Sequence, residues 1–239
     1  VCDNKIIGEG SHEKYGESHA EVNAINSVED KRLLKNSTLY VNLEPCNHYG
    51  KTPPCTEAII NNNIKKVVIG SQDPNKLVSG SGIEKLRSSG CNVSVGIMDK
   101  ECDKLNKRFF TYHKLKRPFI ILKWAETKDG FISPTKSVNT LKKVNWISGE
   151  DAKKLSHKWR SEEHSILVGV QTIIDDDPIL TTRFVEGRSP IRFVLDPNSR
   201  IPLDSRILSG TVKTTVLSKK ENKLIPSYTK AIEFDDINL

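Results

Sequence analysis

LEPCNHYGKTPPCTEA, residues 43 to 58, is the stretch on which the fold turns. It begins at the end of a β-rich run, TLYVNLE (38–44), so Cys46 follows a strand through Pro45. It ends in TEAIINNNI (56–64), which reads as a helix closing on asparagines. Cys55 therefore stands at a helix start, where the dipole is expected to lower its thiol pKa. Working outward, KKVVIG (65–70) and CNVSVGI (91–97) read as strands, with a helix over SGIEKLRSSG (81–90) between them. Strand–helix–strand alternation at this spacing predicts βαβ units and a largely parallel α/β sheet.

Upstream lies SHAEVNAINS (18–27). Ser18 and Glu21 have the spacing of a capping box, and Ala20, Ala24 and Val28 recur with helical period. The same letters place His19 and Glu21 at a helix mouth. Taken alone, His-x-Glu is commonplace and Ser18/Glu21 reads as a cap; two cysteines with eight residues between them read as buried filler. In conjunction they differ, because two helix starts and one strand end converge at the ligand-binding edge of an open α/β sheet. His19, Cys46 and Cys55 give three zinc ligands and leave a fourth tetrahedral position open, as a catalytic zinc requires. Glu21 is then a proton shuttle rather than a ligand. The order H-x-E, then P-C, then C is the pattern of zinc-dependent nucleobase deaminases.

The 239 residues exceed one typical domain, so two are expected. Domains are read at 1–113 and 119–239, joined by a linker at 114–118. The net charge of +7 divides almost evenly, +4 over residues 1–118 and +3 over 119–239, with no basic block. That spread argues against a nucleic-acid partner. No apolar run spans a bilayer and no leader opens the sequence, so a cytoplasmic location without a membrane partner is expected. Five cysteines, an odd number, fit a reducing compartment and metal chemistry better than a disulfide framework. A homo-oligomer is compatible with all of this.

DKECDKLNKRFFTYH (99–113) reads as one helix closing the first half, and PFIILKWAE (118–126) reads as a strand opening the second. SGEDAKKLSHKWRS opens at Ser148 as an N-cap and runs as an amphipathic helix. SILVG, IRFVLD and TTVLS read as strands buried on both faces. The chain starts with Val and closes on IEFDDINL, so material is expected to be missing at both ends.

HAE followed by LEPCNHYGKTPPC resembles the deaminase half of a bifunctional riboflavin-biosynthesis family, the diaminohydroxyphosphoribosylaminopyrimidine deaminase joined to a 5-amino-6-(5-phosphoribosylamino)uracil reductase. SQDPN, WAETKDG, HKWRSEEHSILVGVQTIIDDDPILTTR and VLDPNSRIPLDSRIL extend the similarity across the chain. The resemblance implies a cytidine-deaminase-like zinc domain followed by a truncated, dihydrofolate-reductase-like α/β domain. It implies zinc on His19, Cys46 and Cys55, Glu21 as shuttle, and His12, His48 and Lys51 against a pyrimidine ribose-phosphate substrate. In the second half it assigns Ala125, Trp146, Thr172 and Asp176 to NADPH, and Arg160, Leu180 and Arg183 to substrate. Arginines suit a phosphate because their planar donors bind it bidentately.

The sequence also departs from that pattern. The family's N-terminal helix, its Pro-Asn-Pro loop and its later glycine-rich segment are not found, so a complete reductase is not expected. Val144 stands where a small hydroxyl residue is expected to touch substrate. Two other readings are a tRNA-type nucleic-acid base deaminase and a non-catalytic zinc module. The even charge and the cysteine spacing disfavour the first. The second needs a fourth ligand, and Cys2, Cys91 and Cys102 have no ligand spacing.

Overall fold

A computed structural model describes residues 1–75, 78–133, 146–219 and 230–233. The chain separates into two compact units, Val1–Ile121 and Leu122–Leu239, a few residues beyond the expected boundary at 118/119.

In the first unit α1 (Ala20–Ser27) and a 3-10 turn (Lys31–Asn36) lead into β1 (Thr38–Leu43), α2 (Cys55–Asn61), β2 (Lys66–Ser71), α3 (Ser81–Ser88) and β3 (Asn92–Val95). The three strands form one parallel sheet in the order β1-β2-β3, with Val41 opposite Ile69 and Ile69 opposite Val95. Each parallel crossover carries a helix, as parallel pairing demands. β2 is central, and its Val67 and Ile69 are fully buried. Ile25 of α1, Ile59 of α2 and Leu86 of α3 close over them.

The expected closing helix is two: α4 (Asp99–Leu105) and α5 (Lys107–Leu115). Asn106 breaks it, since its side chain donates 3.0 Å to the Cys102 carbonyl. Such local bonds compete with helix continuation. α5 runs on through Lys114 and Leu115, into the stretch read as linker.

The second unit contains α6 (Glu150–Glu162), β4 (Ser165–Gly169), α7 (Val170–Asp176), β5 (Ile191–Leu195), β6 (Thr214–Ser218) and β7 (Lys230–Glu233). All four strands are parallel, ordered β4-β5-β6-β7. Val194 and Val216 are buried at its centre against Val170 and Ile173 of α7.

Three expectations are corrected here. Residues 118–126 are not a strand: none of the described residues pairs with them, and Ile120, Leu122 and Trp124 are exposed. An apolar, β-branched run has strand propensity, but the state exists only against a neighbour. β4 is not buried on both faces, because it lies at the end of the order and Leu167 is exposed. The N-cap of α6 is Gly149, not Ser148, with no side-chain cap bond.

Candidate metal centre

The three sequence-predicted ligands meet. His19 is the N-cap of α1, Cys46 lies just past β1, and Cys55 is the first residue of α2. His19 Nδ1 is 3.5 Å from Cys46 Sγ and 3.3 Å from Cys55 Sγ, and all three donor atoms lie within 4.8 Å of one another. Zinc bonds of about 2.3 Å to sulfur and 2.0–2.1 Å to nitrogen, at tetrahedral angles, place sulfur and nitrogen roughly 3.5 Å apart. The donor set and its spacing therefore fit zinc.

Each ligand has a local reason for its place. The chain before α1 is fastened back onto it: Asn23 Nδ2 donates to the carbonyls of Ser11 (2.8 Å) and Ser18 (3.2 Å). His12 Nδ1 also lies 3.1 Å from the Ser18 carbonyl. Ser18 is thus held through its carbonyl, and the capping box is not made; α1 has no side-chain cap. Cys46 is fixed from the strand side. Its neighbour Glu44, buried at 3% exposure, accepts from the backbone N–H groups of Asp73, Gly80, Gly82 and Ile83 at 2.9–3.2 Å. This carboxylate ties the end of β1 to the start of α3. A Cβ on Gly82 would collide with the Pro45 carbonyl oxygen, so the two backbones touch beside Cys46. Cys55 is fully buried, and its N–H points at Cys46 Sγ, 3.4 Å away.

The electrostatics divide the thiols. The Cys55 thiol hydrogen-bonded to it holds Cys46 down to about 5, with the Cys55 N–H and His19 adding to the effect. That same bond, then burial and the Glu21 charge, push Cys55 upward. The dipole lowering expected at Cys55 is thus opposed by that bond and by burial, and the two thiols are pushed in opposite directions. Glu21 sits in the first turn of α1, 9% exposed, with its carboxyl beside Cys55. Burial raises its pKa, against the opposing pull of its own backbone N–H. A carboxyl with a raised pKa at the edge of a metal site suits proton transfer near neutrality.

Of the expected substrate residues, His12 packs on a ligand, its ring 5.2 Å from that of His19 in a T-shaped contact. His48 and Lys51 are exposed on the loop between the cysteines, and Lys51 Nζ lies 4.2 Å from the centroid of the Tyr15 ring. Two residues were not singled out from sequence. One is Glu44, whose adjacency to Pro-Cys is its only signal. The other is Asp73, buried at 8% exposure, with its pKa raised chiefly by that burial and His113 and His48 within electrostatic reach. The remaining cysteines are not ligands: Cys91 donates to the Ile64 carbonyl, and Cys102 packs against Gly70. A groove of about 700 Å³ lined by Glu9, Glu13 and Glu17 holds none of the ligands, and its carboxylates suit no anion.

In the second unit Arg160, Leu180 and Arg183 come together. Arg160 Nη1 donates 2.8 Å to the Thr181 carbonyl, and Arg183 Nη1 donates 3.0 Å to the Thr181 hydroxyl. Leu180, buried between them in sequence, has φ +58°, left-handed and costly for a leucine. The loop is held there from below by Arg192, fully buried in β5, which donates 2.9 Å to the Ile179 carbonyl. Thr172 and Asp176 lie one turn apart on exposed α7 positions. Trp146 is exposed, with Lys153 Nζ 4.2 Å from its ring centroid. Ala125 lies in the unpaired segment before the Lys-Asp-Gly turn, and Val144 lies outside the described residues.

Comparison with known proteins follows this division. Residues 1–71 match the cytidine and deoxycytidylate deaminase zinc-binding region, and residues 118–231 match the RibD C-terminal domain. The riboflavin biosynthesis protein RibD of Aquifex aeolicus is 47% identical over 225 residues, 93% of this chain and 61% of that protein. The diaminohydroxyphosphoribosylamino-pyrimidine deaminase of Buchnera aphidicola is 56% identical over 110 residues, 46% of this chain and 74% of that protein. A crystal structure of the Thermotoga maritima deaminase/reductase superposes with a TM-score of 0.89 at 40% identity, covering 98% of this chain and 66% of that one. The chain spans between 54 and 61% of the length of three RibD relatives it matches.

Proposed function

The chain belongs to the RibD family of riboflavin biosynthesis proteins, and from that membership we propose that its first unit deaminates 2,5-diamino-6-(5-phosphoribosylamino)pyrimidin-4-one hydrolytically. The observation that supports this most is the convergence of His19, Cys46 and Cys55 with the buried Glu21 carboxyl beside Cys55. His19 would bind zinc through Nδ1, and the two cysteines through sulfur. When bound, zinc supplies the Lewis acidity that makes water a nucleophile at neutral pH.

Glu21 takes a proton from the attacking water as its oxygen adds to the amine-bearing ring carbon. Glu21 then returns that proton to the nitrogen as the C–N bond breaks and ammonia departs. Cys46 and Cys55 would bind the cation as thiolates, with release of the thiol proton that the bond to Cys46 and burial favour on Cys55. His12, His48 and Lys51 would contact the polar ring and the ribose phosphate.

The second unit is proposed as the NADPH-dependent reductase of the deaminated product, giving the ribitylamino compound. Arg160, Leu180 and Arg183 would form its substrate arm, and Ala125, Trp146, Thr172 and Asp176 would contact the cofactor. The two chemistries share no residue. In the full-length protein, a chelator should abolish ammonia release and spare NADPH oxidation when deaminated substrate is supplied. A chelator that stopped both equally would contradict the assignment. We read the protein as a cytoplasmic small-molecule enzyme; no helix among the described residues is long and apolar enough to cross a membrane.

A further inference from the structure

His157 is not assigned a role by the reading above, yet it is a buried titratable side chain of the second unit. It lies on α6 one turn before Arg160, so both point to the same face. It is 5% exposed, and its ring packs edge-on against Phe184 with centroids 4.6 Å apart. The backbone N–H of Arg183 donates to its Nδ1 at 3.0 Å. An Nδ1 that accepts carries no proton, so the imidazole is neutral and its hydrogen is on Nε2.

The surroundings enforce that state. Burial, then the charges of Arg160 on the same helix and Arg183 on the facing loop, hold the ring down to about 4. Those two guanidiniums have no carboxylate partner among the described residues. Arg160 Nε is buried without a hydrogen-bond partner. Two uncompensated cations meeting on Thr181, one with an orphaned donor, form an arrangement that an anion would complete.

We propose that His157 is a positioning residue for this anion arm: by accepting the Arg183 N–H it sets the backbone from which the Arg183 side chain reaches the substrate phosphate. The inference rests on the assignment of Arg183 to substrate. Arg160 is placed by its own helix, whereas Arg183 lies on a loop and needs an external anchor. Neutral His157 supplies that anchor beside two positive charges, where a protonated ring would lose the bond and repel both.

The test compares His157→Phe, which keeps a ring against Phe184 but removes the acceptor, with His157→Asn, which restores an acceptor near the Nδ1 position. In the full-length protein, His157→Phe should raise KM for the deaminated substrate about tenfold, the scale of one orphaned buried N–H. kcat and the KM for NADPH should stay within about twofold, and His157→Asn should recover most of the loss. An unchanged substrate KM, or an equal loss in all three parameters, would overturn the positioning role. Arg183→Ala separates the premise from the inference. If it leaves substrate KM unchanged, the phosphate assignment fails; if it raises KM while His157→Phe does not, only the positioning role fails. Should His157→Phe not fold, nitrogen NMR of wild-type protein decides: an unprotonated Nδ1 and a slowly exchanging Arg183 amide at pH 7 support the role, and a protonated Nδ1 ends it.

Discussion

The Glu44 carboxylate accepts the backbone N–H of Gly82 at 2.9 Å, across 38 residues of sequence. Glu44 closes β1 two residues before Cys46, and Gly82 lies in the first turn of α3, so this contact sets where one metal ligand stands. Gly82→Ala should drive a methyl into the Pro45 carbonyl and destabilise the first unit by about 2–3 kcal/mol. Glu44→Ala orphans four N–H donors and should cost at least as much. Urea unfolding followed by far-UV circular dichroism measures both, and a midpoint like that of wild type in either variant would contradict this account.

Purified protein should hold about one zinc per chain, as a single three-ligand site requires. Cys46→Ser and Cys55→Ser should each lose it, by metal analysis after dialysis. Because zinc binds cysteine as thiolate and the Cys55 thiol is pushed upward, zinc uptake should release protons into weak buffer. Stoichiometric zinc at unchanged affinity in either variant would show that the ligand set is wrong.

Glu21→Gln should part company with the ligand variants. It preserves shape and leaves His19, Cys46 and Cys55 in place, so zinc and fold are retained. It removes the proton carrier, and deamination should fall roughly a hundredfold or more. Near wild-type ammonia release by that variant in the full-length protein would refute the shuttle.

His157 should leave a mark on stability against pH. Burial depresses its folded value to about 4, while the unfolded chain titrates near the ordinary histidine value of about 6.5. Between those values the unfolded state binds more protons, so its contribution is full above about pH 6.5 and is lost as pH falls toward 4. The loss should be on the order of 3 kcal/mol. All three tryptophans, Trp124, Trp146 and Trp159, lie in the second unit, so fluorescence-monitored unfolding reads it selectively. His157→Asn should flatten the slope in that window; an unaltered slope would assign the acid sensitivity elsewhere.

The metal site was legible because its chemistry is written in local order. His19, Cys46 and Cys55 each sit at an element boundary that neighbouring residues announce, and the structure closes them within 4.8 Å. What sequence could not supply was long-range. Residues 118–126 have strand composition without a strand partner among the described residues, and β4 alternates because of its place in the order, which no local pattern encodes. Ser18 looked like a cap until its carbonyl was seen bonded to Asn23. The Cys55 thiol followed its hydrogen bond to Cys46 rather than its helix dipole. The partner of Arg160 is equally long-range, since Thr181 lies on a loop 21 residues away.

The loop from Cys46 to Cys55 is fastened at both ends by the Cys55 N–H on Cys46 Sγ and by the Thr56 N–H on the Cys46 carbonyl, 3.2 Å away. Its eight intervening residues therefore form a nearly closed ring whose closure entropy is met at the base, not at the tip. His48 and Lys51 ride on that ring, exposed and outside the core. Lineages descended from a common zinc scaffold can lengthen, shorten or rewrite such a ring while leaving the base intact. Substrate preference can thus drift in this architecture without the metal centre or the sheet being renegotiated.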